Sequence, residues 1–150
     1  MTFEGQFYGY LQVNWTEEVT TEVDGVTTVT QEPITDIGWI RENVAFNPEA
    51  EKEYIVPHAR QINAEILEVP ASEGLVRGDY IFAVNTLLKE NSGMSNFESY
   101  SAKLKELYHK KDVVLSNYVA YMGPMVIGSG FISGSHFEMP ISFEMQVFST

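Results

Sequence analysis

Between Gln6 and Trp15 apolar and polar positions take turns. Phe7, Gly9, Leu11, Val13 and Trp15 fall on odd numbers, with Tyr8, Tyr10, Gln12 and Asn14 between them. A period of two with aromatic and β-branched content predicts a strand with one buried face. The next run has another character. Val19 to Thr30 reads VTTEVDGVTTVT, nearly symmetric about Asp24-Gly25. Asp-Gly suits a two-residue type I′ turn, which pairs Val23 with Val26, Glu22 with Thr27 and Thr21 with Thr28. Threonine fits the pleat, but both faces of this ribbon read as polar. A lone two-stranded ribbon is marginal in water, so it either folds over its own domain or lies as an arm on another subunit.

After Pro33 a second aromatic-bearing strand runs through Ile37, Trp39 and Ile40 and ends at Asn47-Pro48. In EKEYIVPHARQINAEILEVP, Pro57 argues against a helix interior or a central strand. The expectation is strand on both sides of a break at Pro57, although Ile62, Ile66 and Leu67 also suit a helix. GDYIFAVNTLLKE carries a continuous apolar stretch from Tyr80 to Val84, expected to be a buried strand that runs into a turn or short helix. NSGMSN closes that segment as a loop.

Phe97 to about Lys111 is the one expected helix. Ser95-x-x-Glu98 fits a capping box, Phe97, Tyr100, Leu104, Leu107 and Tyr108 fall at helical spacing, and the last turn is basic. Its apolar face, including Leu104 and Leu107, should lie on a sheet. Strand then returns in DVVLSNYVAYM, breaks at Gly123-Pro124, and continues through MVIGSGFISGS and PISFEMQVFS. In the last of these Ile141, Phe143, Met145 and Val147 alternate with Ser142, Glu144 and Gln146. The expected fold is mainly β, a β-sandwich or barrel with one amphipathic α-helix and an extended β-hairpin arm. It is a single β-rich domain over residues 1–150, from which residues 19–30 protrude.

Charge changes this picture more than composition does. The chain has 150 residues, 44% hydrophobic, enough for one compact domain with a core. It has no cysteine, which removes disulfides and thiolate metal sites. Neither a secretory leader nor an uninterrupted apolar span of membrane length is evident, so no membrane partner is expected. The formal net charge is −12, which argues against a surface that grips nucleic acid through clustered cations. Residues 1–73 hold fourteen Asp and Glu against Arg41, Lys52 and Arg60, whereas Lys103, Lys105, Lys110 and Lys111 cluster late in the chain. Such asymmetry reads as an ordinary solubilising surface, as charge complementarity between copies, or as a surface that repels a polyanion.

Candidate chemistry is sparse. His58, His109 and His136 are far apart, each without a carboxylate or second histidine at ligand spacing. No nucleophile elbow, zincin or P-loop sequence occurs. Gly128 and Gly130 read as a bulged or sharply twisted strand pair in place of a phosphate loop. Glu17-Glu18 and Glu49, Glu51 and Glu53 lie in polar runs expected to stay solvated, unlike the desolvated carboxyl that acid/base work needs. Met122, Met125, Met139 and Met145 suit core filling first and an adaptable interface second. No enzyme activity and no cofactor or metal are expected. A second reading is a small-ligand-binding β-barrel module with Phe7, Tyr8, Tyr10, Trp15 and Trp39 lining a cavity, against which stands the plainer reading of these rings as core.

The order of elements resembles the tail-tube proteins of tailed bacteriophages and related contractile injection systems. VTTEVDGVTTVT stands for their arm, NFESYSAKLKELYHK for their flanking helix, and MVIGSGFISGSHFEMPISFEMQVF for the closing strands. The resemblance implies a virion structural protein, assembled in the host cytoplasm, whose copies form a homo-oligomeric ring around an anionic lumen for DNA in transit. Its partners are then itself, other virion structural proteins and, transiently and without sequence preference, DNA. Tube-initiator, tail-terminator and head-tail connector roles remain open beside the tube itself. The expected subunit contacts are Thr20, Thr21, Glu22, Asp24, Gly25, Thr27 and Thr28 on the arm, and Lys103 and Lys110 at the basic helix.

Overall fold

The computed structural model describes residues 2–33, 37–39, 52–66, 76–89 and 93–150. The fold is mainly β, as its sequence pattern implies, but it opens on a helix. Helix α1 spans Phe3–Asn14, capped by Thr2, whose hydroxyl accepts from the Gly5 N–H at 3.2 Å. This overturns the strand expected over Gln6 to Trp15. Phe3, Phe7, Leu11 and Trp15 are spaced by four, an interval that fits either period. Only the positions between them discriminate. A strand would bury Val13 with Leu11 and Trp15, and Val13 is 76% exposed.

The hairpin follows at once. Strand β1 (Thr16–Val23) pairs antiparallel with β2 (Val26–Pro33), in unbroken register from Thr16 opposite Pro33 to Val23 opposite Val26. Asp24 and Gly25 take φ of 52° and 75°, the paired positive values that a type I′ turn demands and that Asp-Gly supplies at low cost. All three sequence-expected pairs are present. The ribbon forms a two-stranded sheet separate from the rest.

The main sheet has eight strands in the order β3-β4-β5-β10-β7-β6, with β8 and β9 also on β10. They span Ile37–Trp39 (β3), Glu53–Ile66 (β4), Val76–Lys89 (β5), Asp112–Val114 (β6), Tyr118–Met122 (β7), Val126–Ile127 (β8), Phe131–Ser133 (β9) and His136–Ser149 (β10). Among the described residues the sheet does not close on itself, and β3 and β6 are its ends. Among the described strands only β3 with β4 pairs parallel. Ile40 and the expected strand end at Asn47-Pro48 lie outside the described residues, as does Leu67.

Two expectations for the middle of the chain need correction. β4 passes through Pro57 unbroken, and its irregularity falls between Gln61 and Asn63. Ala59 donates its N–H to the Tyr8 hydroxyl at 3.0 Å, away from β5. Backbone donors two residues apart point the same way, so the donor that Pro57 lacks would also have faced away from β5. The described part of β3 reaches only to Ile55. β5 likewise continues as strand to Lys89, with no turn or short helix after Val84.

β10 is the spine. One edge meets β5 from His136 to Phe148, and the other is served in turn by β9, β8 and β7. Met145 faces Met122, Ile141 faces Ile127, and Phe137 faces Ile132. The outer run therefore spends five residues where β10 spends four, twice, and each extra residue is a bulge. The breaks are Gly123-Pro124 and Gly128 to Gly130, as the glycine pattern implied. A methyl at Gly130 would overlap the Phe137 ring and the Met139 sulfur. Gly128 donates its N–H to the Pro140 carbonyl at 2.8 Å, so the donor missing from Pro140 faces this broken edge and leaves the β5 ladder whole.

Helix α2 spans Ser95–Tyr108, shorter at its end than the predicted Lys111. Met94, with no side-chain cap bond, occupies the N-cap position, so Ser95 lies inside the first turn and the expected capping box does not form. Lys110 adopts φ of 53° just beyond the helix, the left-handed conformation with which helices commonly stop. Phe97, Tyr100, Leu104 and Tyr108 are buried on the sheet, and Leu107 is half-buried at the rim of the core.

Both helices share one core with the sheet. Phe7 lies 4.7 Å from Phe82 and 5.4 Å from Tyr108, and Tyr108 lies 5.6 Å from Phe143, between ring centroids. Met122, Met139 and Met145 are buried here and Met125 packs on the rim, so core filling is what these methionines do. The Tyr108 hydroxyl is buried and has no hydrogen-bond partner among the described residues. Burial, then the neighbouring Tyr10, hold its pKa well above the ordinary value near 10.

Two predictions follow from the core. Replacing Leu104, fully buried, with alanine should destabilise the domain by about 2–5 kcal/mol, and Leu107→Ala by less, as read by chemical denaturation. Tyr108→Phe removes a hydroxyl whose unpaired burial costs about 1–3 kcal/mol, so its melting temperature at neutral pH should equal or exceed the parent's. Because the folded pKa is raised, the stability contributed by neutral Tyr108 is complete below the unfolded pKa of about 10 and is lost as pH rises beyond it. The variant should therefore lose less than the parent above about pH 10, and an equal loss would mean the ring is not held in its neutral form.

Candidate assembly surface

The arm begins where α1 ends. Asn14 closes the helix with its side-chain amide on the Tyr10 carbonyl at 2.8 Å, and Trp15, buried in the core, anchors the root. Beyond Val19 the ribbon is exposed to its tip on both faces. It does not cover the aromatic face of Phe7, Leu11 and Trp15, which α1 itself turns onto the sheet.

Register sorts the arm's side chains in a way that composition hides. Strand alternation puts Val19, Thr21 and Val23 on one face with Val26, Thr28 and Thr30 opposite them. Glu18, Thr20 and Glu22 share the other face with Thr27, Val29 and Gln31. The ribbon is thus not polar on both sides. Val23 and Val26, 67% and 64% exposed, make an apolar tip on one face. Glu17, Glu18, Glu22, Asp24 and Glu32 give the arm its charge, with no Lys, Arg or His between Thr16 and Pro33.

The predicted arm contacts Thr20, Thr21, Glu22, Asp24, Gly25, Thr27 and Thr28 are all exposed. Lys103 is half-buried on α2 and Lys110 is exposed just after it. Within one chain they are not brought together. Arg77 forms an ion pair with Asp79 at 3.3 Å, and it lies on β5.

A shallow groove of about 880 Å³ runs between the outward face of α1 and the turn joining β6 to β7. Gly5, Gly9, Tyr10, Val13, Val114 and Leu115 contribute to its walls, and none of its lining residues is charged. Gln6 ties the two sides together, donating to the Asn117 side chain at 3.0 Å and accepting the Asn117 N–H at 3.2 Å. Sequence reasoning missed this groove because it placed α1 as a strand. Val13, assigned to the core, is in fact the most exposed apolar side chain of the helix. A smaller cleft of about 590 Å³ lies by Arg77, Asp79, Tyr80, Tyr121 and Glu144. Burial, then the Glu4 carboxylate and Tyr118, raise the pKa of Tyr80 there, so the phenol stays neutral and serves as a hydrogen-bonding rather than a charged wall.

Several of the groups weighed for chemistry are taken up by structure, while Glu17 and Glu18 stay exposed on the arm. His136 is fully buried with Nε2 2.7 Å from the Lys52 carbonyl oxygen and Nδ1 3.0 Å from the Ser135 hydroxyl. His109 accepts the Met125 N–H on Nδ1 at 3.0 Å. Glu53, expected to be solvated, is instead 4% exposed. Its carboxylate accepts from Tyr100 at 3.0 Å, Asn96 at 2.9 Å and the Lys89 N–H at 3.3 Å, which staples α2 to β4 and β5. Glu49 and Glu51 lie outside the described residues. Phe7 and Trp15 fill the core and Tyr8 and Tyr10 pack on it, Tyr10 also forming part of the wall of the groove beside α1; the Trp39 side chain lies outside the described residues. Among the described residues no three His, Asp or Glu are grouped to hold a metal, and no helix is long and apolar enough to cross a membrane.

Comparison with known proteins bears on the fold. No family model matches the chain, and no curated protein does. A solved structure whose name carries no functional information is similar at 19% identity, over 77% of this chain and 79% of that one, with a TM-score of 0.52. At that identity the likeness is one of fold alone.

Proposed function

We propose that this chain is a ring-forming structural subunit of a phage tail or related tube, joined to its neighbours through the β1–β2 arm. The observation that carries the reading is the arm itself: a regular hairpin with an apolar tip, exposed on both faces, standing off a domain whose core is complete without it. A two-stranded ribbon gains little stability alone, and a partner's surface supplies what its own domain does not. A second copy is the partner best matched to the charge asymmetry between arm and α2. The strong negative charge suits a conduit along which phosphate slides without being held. The main sheet is open and carries both helices, in place of the two facing sheets or closed barrel that the resemblance implies, so tube, initiator, terminator and connector roles stand side by side.

Magnitudes assign the roles within the joint. An exposed ion pair contributes about 0–1 kcal/mol, whereas full burial of a valine contributes about 1.5–3 kcal/mol. The valines of the tip therefore supply the affinity, and the carboxylates set orientation and the rate of encounter.

Sedimentation and electron microscopy of the purified chain should show closed rings that survive moderate salt. Deleting Thr20 to Thr28 across a short glycine linker should leave a folded monomer whose melting is close to that of the parent, since the arm adds nothing to the core. A chain that stays strictly monomeric at high concentration, in both low and high salt, would overturn the proposal. Amides of Thr21 and Thr28 that are equally protected in monomer and assembly would count against the crossing arm.

A further inference from the structure

The assembly reading leaves unassigned the place on a neighbour where the arm's tip rests. Two exposed apolar surfaces compete for it: the outer edge of β8 and β9, with Val126, Ile127, Phe131 and Ile132, and the groove between α1 and the β6–β7 turn. From the geometry we infer that the α1 groove of one copy receives the valine face of the next copy's hairpin tip. This rests on the proposed self-association and names both halves of its interface.

Charge selects between the surfaces. Glu138 sits opposite Phe131 in the register and Glu144 lies exposed farther along β10, so an acidic ribbon approaching β8 and β9 meets like charge. The groove offers no charged wall in a chain of net charge −12. Lys110 and Lys111 lead into β6, roughly 10 Å before Val114 at the rise of an extended chain, with Asp112 beside them and Glu4 and Glu17 at the two ends of α1. Glu18 and Glu22, on the face opposite the valines, remain in solvent near these cations when Val23 and Val26 turn down onto Val13 and Val114.

Shape agrees. Val13 and Val114 are 76% and 71% exposed, and a side chain added at Gly9 would meet nothing within 4 Å, so the helix face is low enough for a ribbon to lie close. Reach then decides which copy is served. The groove includes Val13 and Asn14, beside the root of the chain's own arm at Thr16. Val23 lies seven residues farther, about 23 Å along the strand, and the ribbon's pairing is unbroken. A tip cannot return to the groove beside its own root. Donor and acceptor patches are different surfaces held apart on each copy, the head-to-tail arrangement that closes into rings or runs on as filaments.

The absence of cysteine makes the test direct. The full-length double variant Val26→Cys with Val114→Cys, treated with a short bismaleimide, should give a ladder of covalent multimers, while Val26→Cys alone gives dimers at most. Val114→Glu, a change at an exposed position, should leave melting unchanged and weaken association by about tenfold or more. Assembly that persists unchanged in Val114→Glu, a ladder from Val26→Cys with Ile132→Cys in place of Val114→Cys, or cross-linking confined within single chains would overturn the groove while the assembly reading stands. A parent chain that does not associate at all defeats both.

Discussion

The three-way packing of Phe7, edge-on to Phe82 and stacked on Tyr108, is the contact on which the other elements depend. It joins α1, β5 and α2 at one point, and Phe143 of β10 closes the cluster from the sheet side. α1 is a poor helix by intrinsic preference, since Gly5, Gly9 and several aromatic and β-branched residues lie within it. Its amphipathic face against this cluster holds it, as tertiary packing commonly does for short helices. Because Trp15 is buried in the same core, the direction in which the chain leaves α1 is fixed, and with it the direction of the arm. A surface feature with no packing of its own is thereby aimed by the interior.

What the sequence made legible follows from which physical signal was unique at each place. Asp24-Gly25 specifies its turn by a backbone requirement that few other pairs meet, so the hairpin register was readable residue by residue. The alternation from Ile141 to Val147 was readable because one face of β10 is buried over that whole length. Phe7, Leu11 and Trp15 were recognisable as core, but an interval of four belongs to both periods, and the choice of strand turned Val13 inward. Glu53 was misread for another reason: its three donors come from β5 and α2, and no local pattern announces partners that distant. Pro57 was read as a break because a strand interior needs its donor, whereas β4 places that donor on the side away from β5. The groove beside α1 was illegible for the same cause as the helix.

The two bulges opposite β10 show how the fold reconciles a long central strand with a glycine-rich neighbour. Without them the outer run would be a flat, continuous edge, open to pairing with any extended chain. Gly128 and Gly130 bring the backbone close over Pro140, Phe137 and Met139, and the breaks divide the edge into β7, β8 and β9. The arm stands in contrast, with a smooth register and an acidic face that discourages indiscriminate stacking. One edge is interrupted and the other charged, which would leave the proposed contact between copies to side chains more than to bare backbone.

The position of β10 in both space and sequence has a consequence for how the molecule comes into being. During synthesis it emerges after every strand it pairs with, so the β4–β5 hairpin and the β6–β7 hairpin have no seam between them until it arrives. Contacts between distant parts of a chain form slowly, and for that interval both half-sheets show unpaired edges of the kind that aggregate. The β1–β2 ribbon closes only local contacts, on the microsecond scale of an isolated hairpin. A nascent chain would thus sample its arm, marginal on its own, before it has a finished body. The groove proposed to receive a neighbour's arm, built from α1 and the β6–β7 turn, matures only with the domain, so the order of synthesis would separate folding from the proposed polymerisation.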